Sequence, residues 1–185
     1  FTDGLLYGVP HATENLGFFY NTDLVTEVPA TWDDLLAVSR TLKDEGKITY
    51  ALAIVGDGLY NAFPIQTAFG GYVFGKDAAG ALNADDVGLD SAGEIAAVAW
   101  MKAAVEEGLM PNSFDSETSM ALFESGEIPF VMTGPWNLDR IRASGVPYAI
   151  GSTFPSGPAG PGAPFSGVQG FFVNPSSEDV LLARA

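Results

Sequence analysis

The chain is 185 residues long and carries 23 acidic residues against 8 basic ones, a formal net charge of −15, with no cysteine. That balance repels nucleic acid and anionic membrane surfaces, favours a neutral or cationic ligand, and leaves no disulfide or thiolate chemistry. Hydrophobic residues make up 47% of the sequence, enough at this length to bury the core of one compact domain.

In chain order, Tyr7-Gly8-Val9-Pro10-His11-Ala12-Thr13-Glu14 sets one carboxylate just ahead of the apolar run Leu16-Gly17-Phe18-Phe19-Tyr20, which is short enough for a buried strand. Thr31 and Asp34 make a capping-box pattern. Leu35, Val38 and Leu42 then recur at helical spacing until Gly46. Residues 50–55 read as a strand, Gly56-Asp57-Gly58 as a turn, and 61–69 as a helix ending at Gly70-Gly71. Residues 77–86 are small and polar, which predicts a surface loop. Asp90 or Ser91 caps a helix carrying Ile95, Val98, Met101 and Val105, and Gly108 closes it.

A shorter helix over 116–125 turns Met120 and Phe123 inward. Strands are expected at 128–132, 148–151 and 168–173, with a Pro- and Gly-rich irregular loop over 156–164. A last helix begins at Pro175-Ser176-Ser177-Glu178. Strands alternating with helices predict an α/β layered domain. No apolar run reaches the length of about 18 residues that a membrane span needs, and the first residues lack a basic signal-peptide region, so a signal or lipid anchor is expected upstream of Phe1.

Thr133-Gly134-Pro135-Trp136 joins the apolar run Ile128-Pro129-Phe130-Val131-Met132 to the amphipathic stretch 137–143. Proline suits a first helical turn, where its missing N–H would be unpaired anyway. Trp136 is therefore expected to project from a strand-to-helix junction near the mouth of a sheet, where open α/β folds bind ligands.

Three segments in order, from Val9-Pro10 to Tyr20-Asn21, then Pro29-Ala30-Thr31-Trp32-Asp33-Asp34-Leu35, then Gly126-Glu127 to Gly134-Pro135-Trp136, with Gly70-Gly71-Tyr72 between them, carry a resemblance. The chain resembles the extracellular solute-binding proteins of sugar ABC transporters, nearest to the maltose/maltodextrin-binding type. Members are about twice as long and fold as two lobes around a cleft. The resemblance therefore implies a truncated periplasmic-binding-protein-like fold of type II. Residues 1–175 would be most of the second lobe, and 176–185 the start of a crossover helix towards the missing one.

The implied function is binding of maltose- or maltodextrin-like oligosaccharides for uptake, with an ABC permease as the parent protein's partner and an extracellular, periplasmic or lipid-anchored location. Trp136 and Tyr60 match positions where aromatics stack on a pyranose. A sugar's C–H face is apolar and its rim is hydroxyls, so a flat ring plus rim hydrogen bonds suits it. Glu14 matches a carboxylate that accepts from sugar hydroxyls, a charge-assisted bond. Asp57 could serve similarly, although the familiar Glu-Pro-Tyr pattern is here Gly58-Leu59-Tyr60. His11, three residues before Glu14, and Gln169 on the last strand near the hinge complete the candidates. The plainer readings are a core Trp136, a Tyr60 covering core, a solvated Glu14 and a surface His11. Phe63 is expected in the core.

Enzymatic alternatives find little support. Glu14 and Asp57 could form a glycosidase pair in a carbohydrate-active enzyme or accessory domain, but sequence does not give their separation. No nucleophile, base and orienter set is present, Asp85-Asp86 and Asp90 do not make a calcium loop, and no phosphate-binding glycine motif follows a strand. Neither metal nor cofactor is implied. The covering helices of the longer family members would be missing here, so one face is expected to show apolar surface. Val180, Leu181 and Leu182 are the expected route to self-association through that truncated face.

Overall fold

The computed structural model describes residues 7–56, 58–112 and 115–180. In chain order its elements are β1 (Val9–Glu14), β2 (Gly17–Asn21), α1 (Trp32–Asp44), β3 (Leu52–Ile54), α2 (Leu59–Ala68), β4 (Phe74–Lys76), β5 (Leu82–Val87) and α3 (Ala92–Glu106). There follow α4 (Ser116–Glu124), β6 (Phe130–Thr133), a 3₁₀ turn at Pro135–Asn137, α5 (Leu138–Ser144), β7 (Tyr148–Ile150), β8 (Ser156–Gly157), β9 (Gly160–Pro161) and β10 (Gly167–Phe171). Contacts divide the chain into two units, Leu16–Phe165 and the paired ends Phe1–Asn15 with Ser166–Ala185.

The larger unit is built on a four-stranded sheet in the order β3-β6-β2-β7. β6 runs parallel to β3, with Ile54 beside Met132, and antiparallel to β2, with Phe18 beside Met132. The centres of β2, β3 and β6 are apolar because both faces of the sheet are covered there. Phe18, Leu52, Ile54, Phe130 and Met132 join one core with α1, α2 and α3, whereas Phe19, Ala53, Val55 and Val131 join another with Met120 and Phe123 of α4 and Ile141 of α5. The result is a helix–sheet–helix sandwich, the α/β layering expected from the alternation of elements.

α1 starts where the sequence predicts. Thr31 Oγ1 accepts from the Asp34 backbone N–H at 3.0 Å and the Asp34 carboxylate accepts from the Thr31 N–H at 3.2 Å, closing the box. Trp32, the first residue inside, is 1% exposed and meets Phe18 and Trp100 edge-on, each at 5.8 Å between ring centroids. The Thr-Trp-Asp motif is therefore a helix start anchored in the core.

α3 meets the core chiefly through its small residues. Ala97 and Ala104 are fully buried, Met101 and Val105 are partly buried against the same core, and Ile95 and Val98 are 62% and 50% exposed. Packing is closest at the end of α2, where a Cβ on Gly93 would stand 2.3 Å from the Gly70 carbonyl carbon, so no side chain fits at that position. The exposed Ile95 and Val98 supply apolar surface on one face of the unit.

Glu94 is carried into this tight contact. It is 6% exposed, its Oε2 has no hydrogen-bond partner, and burial raises its carboxyl above the usual range. A folded-state value above the unfolded one means that stability is greatest below the unfolded value, near pH 4, and falls as pH rises through the folded value. Glu94→Gln is thus expected to be more stable than the parent at neutral pH, on the order of 1 kcal/mol, with the difference shrinking on acidification. Thermal melts of both proteins between about pH 4 and pH 8 check this. A gap that widens as pH falls contradicts it.

Three expectations change. Residues 77–86 are largely hairpin, with β4 antiparallel to β5 and the Asp77 side chain accepting from the Ala79 and Ala81 N–H groups at 2.9 Å. Glu14 stands just ahead of β2, as expected, and also closes an unforeseen strand, β1, which pairs antiparallel with β10 in a two-stranded ribbon. The loop over 156–164 contains the small hairpin β8–β9. Residues 175–176 form a turn and 177–179 are not helical, so no helix starts where expected, and the remainder of that segment, with Leu181 and Leu182, lies outside the described residues. No helix among the described residues is long and apolar enough to cross a membrane.

Candidate functional site

Two of the expected aromatics lie at one end of the sheet. β3 and β6 are parallel neighbours, Tyr60 stands in the first turn of the helix that follows β3, and Trp136 in the 3₁₀ turn that follows β6. Both therefore sit beyond the carboxyl ends of adjacent parallel strands. This is the position that open α/β sheets use for ligands.

Trp136 is 52% exposed, which sets aside the core reading. Its turn is held by Asn137 Nδ2 donating to Oγ1 of the buried Thr133 at 2.8 Å. Behind it, Arg140 of α5 pairs with Glu124 and, at 2.8 Å, with Glu117, tying α5 to α4. The indole folds back over Gly134, where a Cβ would stand 2.2 Å from two ring carbons. Gly134 has φ −97° and ψ 178°, a conformation open to any residue, so the requirement is for space. Gly134→Ala is expected to displace the indole, change Trp136 emission and weaken ligand binding severalfold while the melting temperature stays near that of the parent. Retention of both emission and affinity contradicts this.

Tyr60 is 37% exposed and does not stand alone. Its ring is parallel to that of Phe165 within 9°, with centroids 5.7 Å apart, and Phe165 stacks in turn on Phe63 at 3.8 Å and 7°. Phe63 is only partly buried and outside both cores, so its expected core role gives way to a three-ring stack. Phe165 escaped the sequence reading. Its one signal was an aromatic closing a loop otherwise made of small residues and proline.

The remaining candidates lie on the β1–β10 ribbon, apart from Asp57, which is outside the described residues. Glu14 Oε1 accepts from Gln169 Nε2 at 2.5 Å across the ribbon, so two expected polar contacts form one pair. His11 falls at the irregularity between Pro10 and Ala12 and lies against Phe171, with ring centroids 4.9 Å apart. Among the described residues no group of three or more His, Cys, Asp or Glu is placed to hold a metal ion.

Comparison with known proteins fits this geometry. The family model for bacterial extracellular solute-binding proteins matches residues 1–185. The chain belongs to that family. A galactooligosaccharide-binding protein of Bacillus subtilis is 31% identical over 189 residues, covering 98% of this chain and 44% of the relative. A maltodextrin-binding protein of the same organism is 29% identical over 193 residues, with 98% and 45% covered. A maltooligosaccharide ABC transporter solute-binding lipoprotein of Streptococcus pneumoniae is 29% identical over 166 residues, covering 85% of the chain and 38% of the relative. The chain thus spans less than half the length of these relatives. The α/β sandwich is a truncated periplasmic-binding-protein fold, and the family is one of binding proteins, not enzymes. The reading of Glu14 and Asp57 as a glycosidase pair is accordingly set aside.

Proposed function

We propose that this chain is the oligosaccharide-binding lobe of an ABC importer's solute-binding protein, taking maltodextrin-like sugars. The observation that carries the reading is the pair of exposed aromatics, Tyr60 and Trp136, beyond the carboxyl ends of β3 and β6. Flat rings suit the apolar face of a pyranose, and a neutral sugar is compatible with the −15 charge. In support, the relatives are named for galactooligosaccharides, maltodextrin and maltooligosaccharides.

Within this reading Trp136 and Tyr60 stack on sugar rings, and the Glu14–Gln169 pair offers a carboxylate and an amide to hydroxyls. His11 and Asp57 are secondary polar candidates. Residues 1–175 act as the sugar-binding lobe, and the whole protein delivers its ligand to a permease from an extracellular, periplasmic or lipid-anchored position. Self-association through an uncovered apolar face is part of the same proposal.

Calorimetric titration with maltotriose and with a galactooligosaccharide, followed by chromatography of the recovered sugar, tests it. The expected result is weak, saturable binding of maltotriose, tighter than of the galactooligosaccharide, with the sugar returned intact. Preference for the galactooligosaccharide contradicts the maltodextrin assignment, and binding of neither contradicts the carbohydrate reading.

A further inference from the structure

The loop over residues 154–165 runs as a strap along α2. Phe154 anchors its start, 8% exposed and edge-on to Phe18 at 5.8 Å. Ala159 N–H donates to the Ala68 carbonyl at 2.9 Å, at the C-terminal end of α2. Further along, Thr67 Oγ1 accepts from Ala163 N–H at 2.8 Å and donates among nearby carbonyls, Ala163 at 3.1 Å being one. A Cβ on Gly162 would stand 2.4 Å from the Pro64 carbonyl oxygen, so the strap is drawn down onto the helix backbone. These contacts deliver Phe165 to the α2 face where Phe63 and Tyr60 stand three residues apart.

The rings register this delivery. Phe165 lies parallel to both partners, face to face with the inner Phe63 and offset from the outer, exposed Tyr60. An exposed tyrosine in the first turn of a helix has several side-chain rotamers open to it. A parallel neighbour already fixed from behind removes most of them, and that prior ordering favours ligand stacking.

We infer that Phe165 is a positioning residue for ligand binding: held by the strap and backed by Phe63, it sets the plane of Tyr60 against which a sugar ring stacks. The inference rests on the carbohydrate reading above. It separates the roles of the three rings, with Tyr60 touching ligand, Phe165 orienting it and Phe63 supporting Phe165.

The test is a double-mutant cycle in the 185-residue chain, with maltotriose as the probe and thermal melts as the check on folding. Phe165→Leu is expected to weaken binding roughly three- to tenfold while Trp136 emission still responds to sugar. Phe165→Tyr, which keeps the ring, should bind as the parent does. Tyr60→Ala should lose at least as much as Phe165→Leu, and the double variant no more than Tyr60→Ala alone, because Phe165 acts only through Tyr60. Parental affinity in Phe165→Leu, or losses that add in the double variant, would overturn the positioning role while leaving the carbohydrate reading intact. Absence of any maltotriose response in the parent would overturn both.

Discussion

Trp136→Ala is expected to weaken maltotriose binding roughly ten- to a hundredfold, the loss that follows when a stacking aromatic is truncated at a ligand surface. The fold should survive. Half of the side chain is already in solvent, and neither hydrophobic core includes it. The turn that presents it is held independently, by Asn137 on Thr133 and by Arg140 on Glu117 and Glu124. Calorimetric titration alongside a thermal melt separates the two quantities. A large loss of melting temperature, or parental affinity, contradicts the assignment.

Trp32→Ala should do the opposite. This indole is 1% exposed and wedged between Phe18 and Trp100, so its removal opens a cavity at the junction of α1, α3 and the sheet. The cost is about 3–5 kcal/mol, a large share of the stability of a domain of this size. Melting should fall on the order of 10 °C, and the variant should accumulate poorly. Trp32→Phe should lose much less, because it keeps an aromatic in the core and removes an indole N–H that has no hydrogen-bond partner. A Trp32→Ala variant melting within 2 °C or so of the parent would show that the core does not depend on this residue.

The contrast between the two tryptophans shows what was legible in the sequence. Local rules placed both: the capping box fixed the start of α1 and with it Trp32, and proline in a first turn fixed the exit from β6 and with it Trp136. Strands buried on both faces were equally readable, because runs such as Phe18-Phe19 and Val131-Met132 have no polar side. Which side of α3 packs inward was not legible, because apolar residues surround the helix and leave periodicity no direction to choose. The small residues Gly93, Ala97 and Ala104 marked the packed face, through a close approach that only the fold makes visible. The β4–β5 hairpin and β1 are mostly exposed, so neither shows the alternation that identifies a half-buried strand, whereas β10 lies where the run 168–173 predicts one.

At the candidate site, residues carrying their own signal were named from sequence and those acting through contact were not. Tyr60 and Trp136 belong to motifs. Phe165 matters because a strap more than 90 residues further along the chain returns to α2, a separation reflected in the Thr67–Ala163 hydrogen bonds. No local pattern encodes that return. Glu14 and Gln169 were named separately, and only the antiparallel register of β1 and β10 makes them a pair.

The central claim is that a sugar stacks at the end of the sheet marked by Trp136. The chain's three tryptophans provide a direct test, since each indole N–H gives its own signal in a nitrogen–proton correlation spectrum. Trp32 is buried, the Trp100 Nε1 donates to Asp33 at 2.9 Å, and Trp136 is exposed in its turn. With signals assigned from Trp136→Phe and Trp100→Phe variants, titration with maltotriose should move the Trp136 signal saturably and leave those of Trp32 and Trp100 in place. A Trp136 signal that stays fixed while the sugar binds, or that fails to respond at any sugar concentration, would contradict the account.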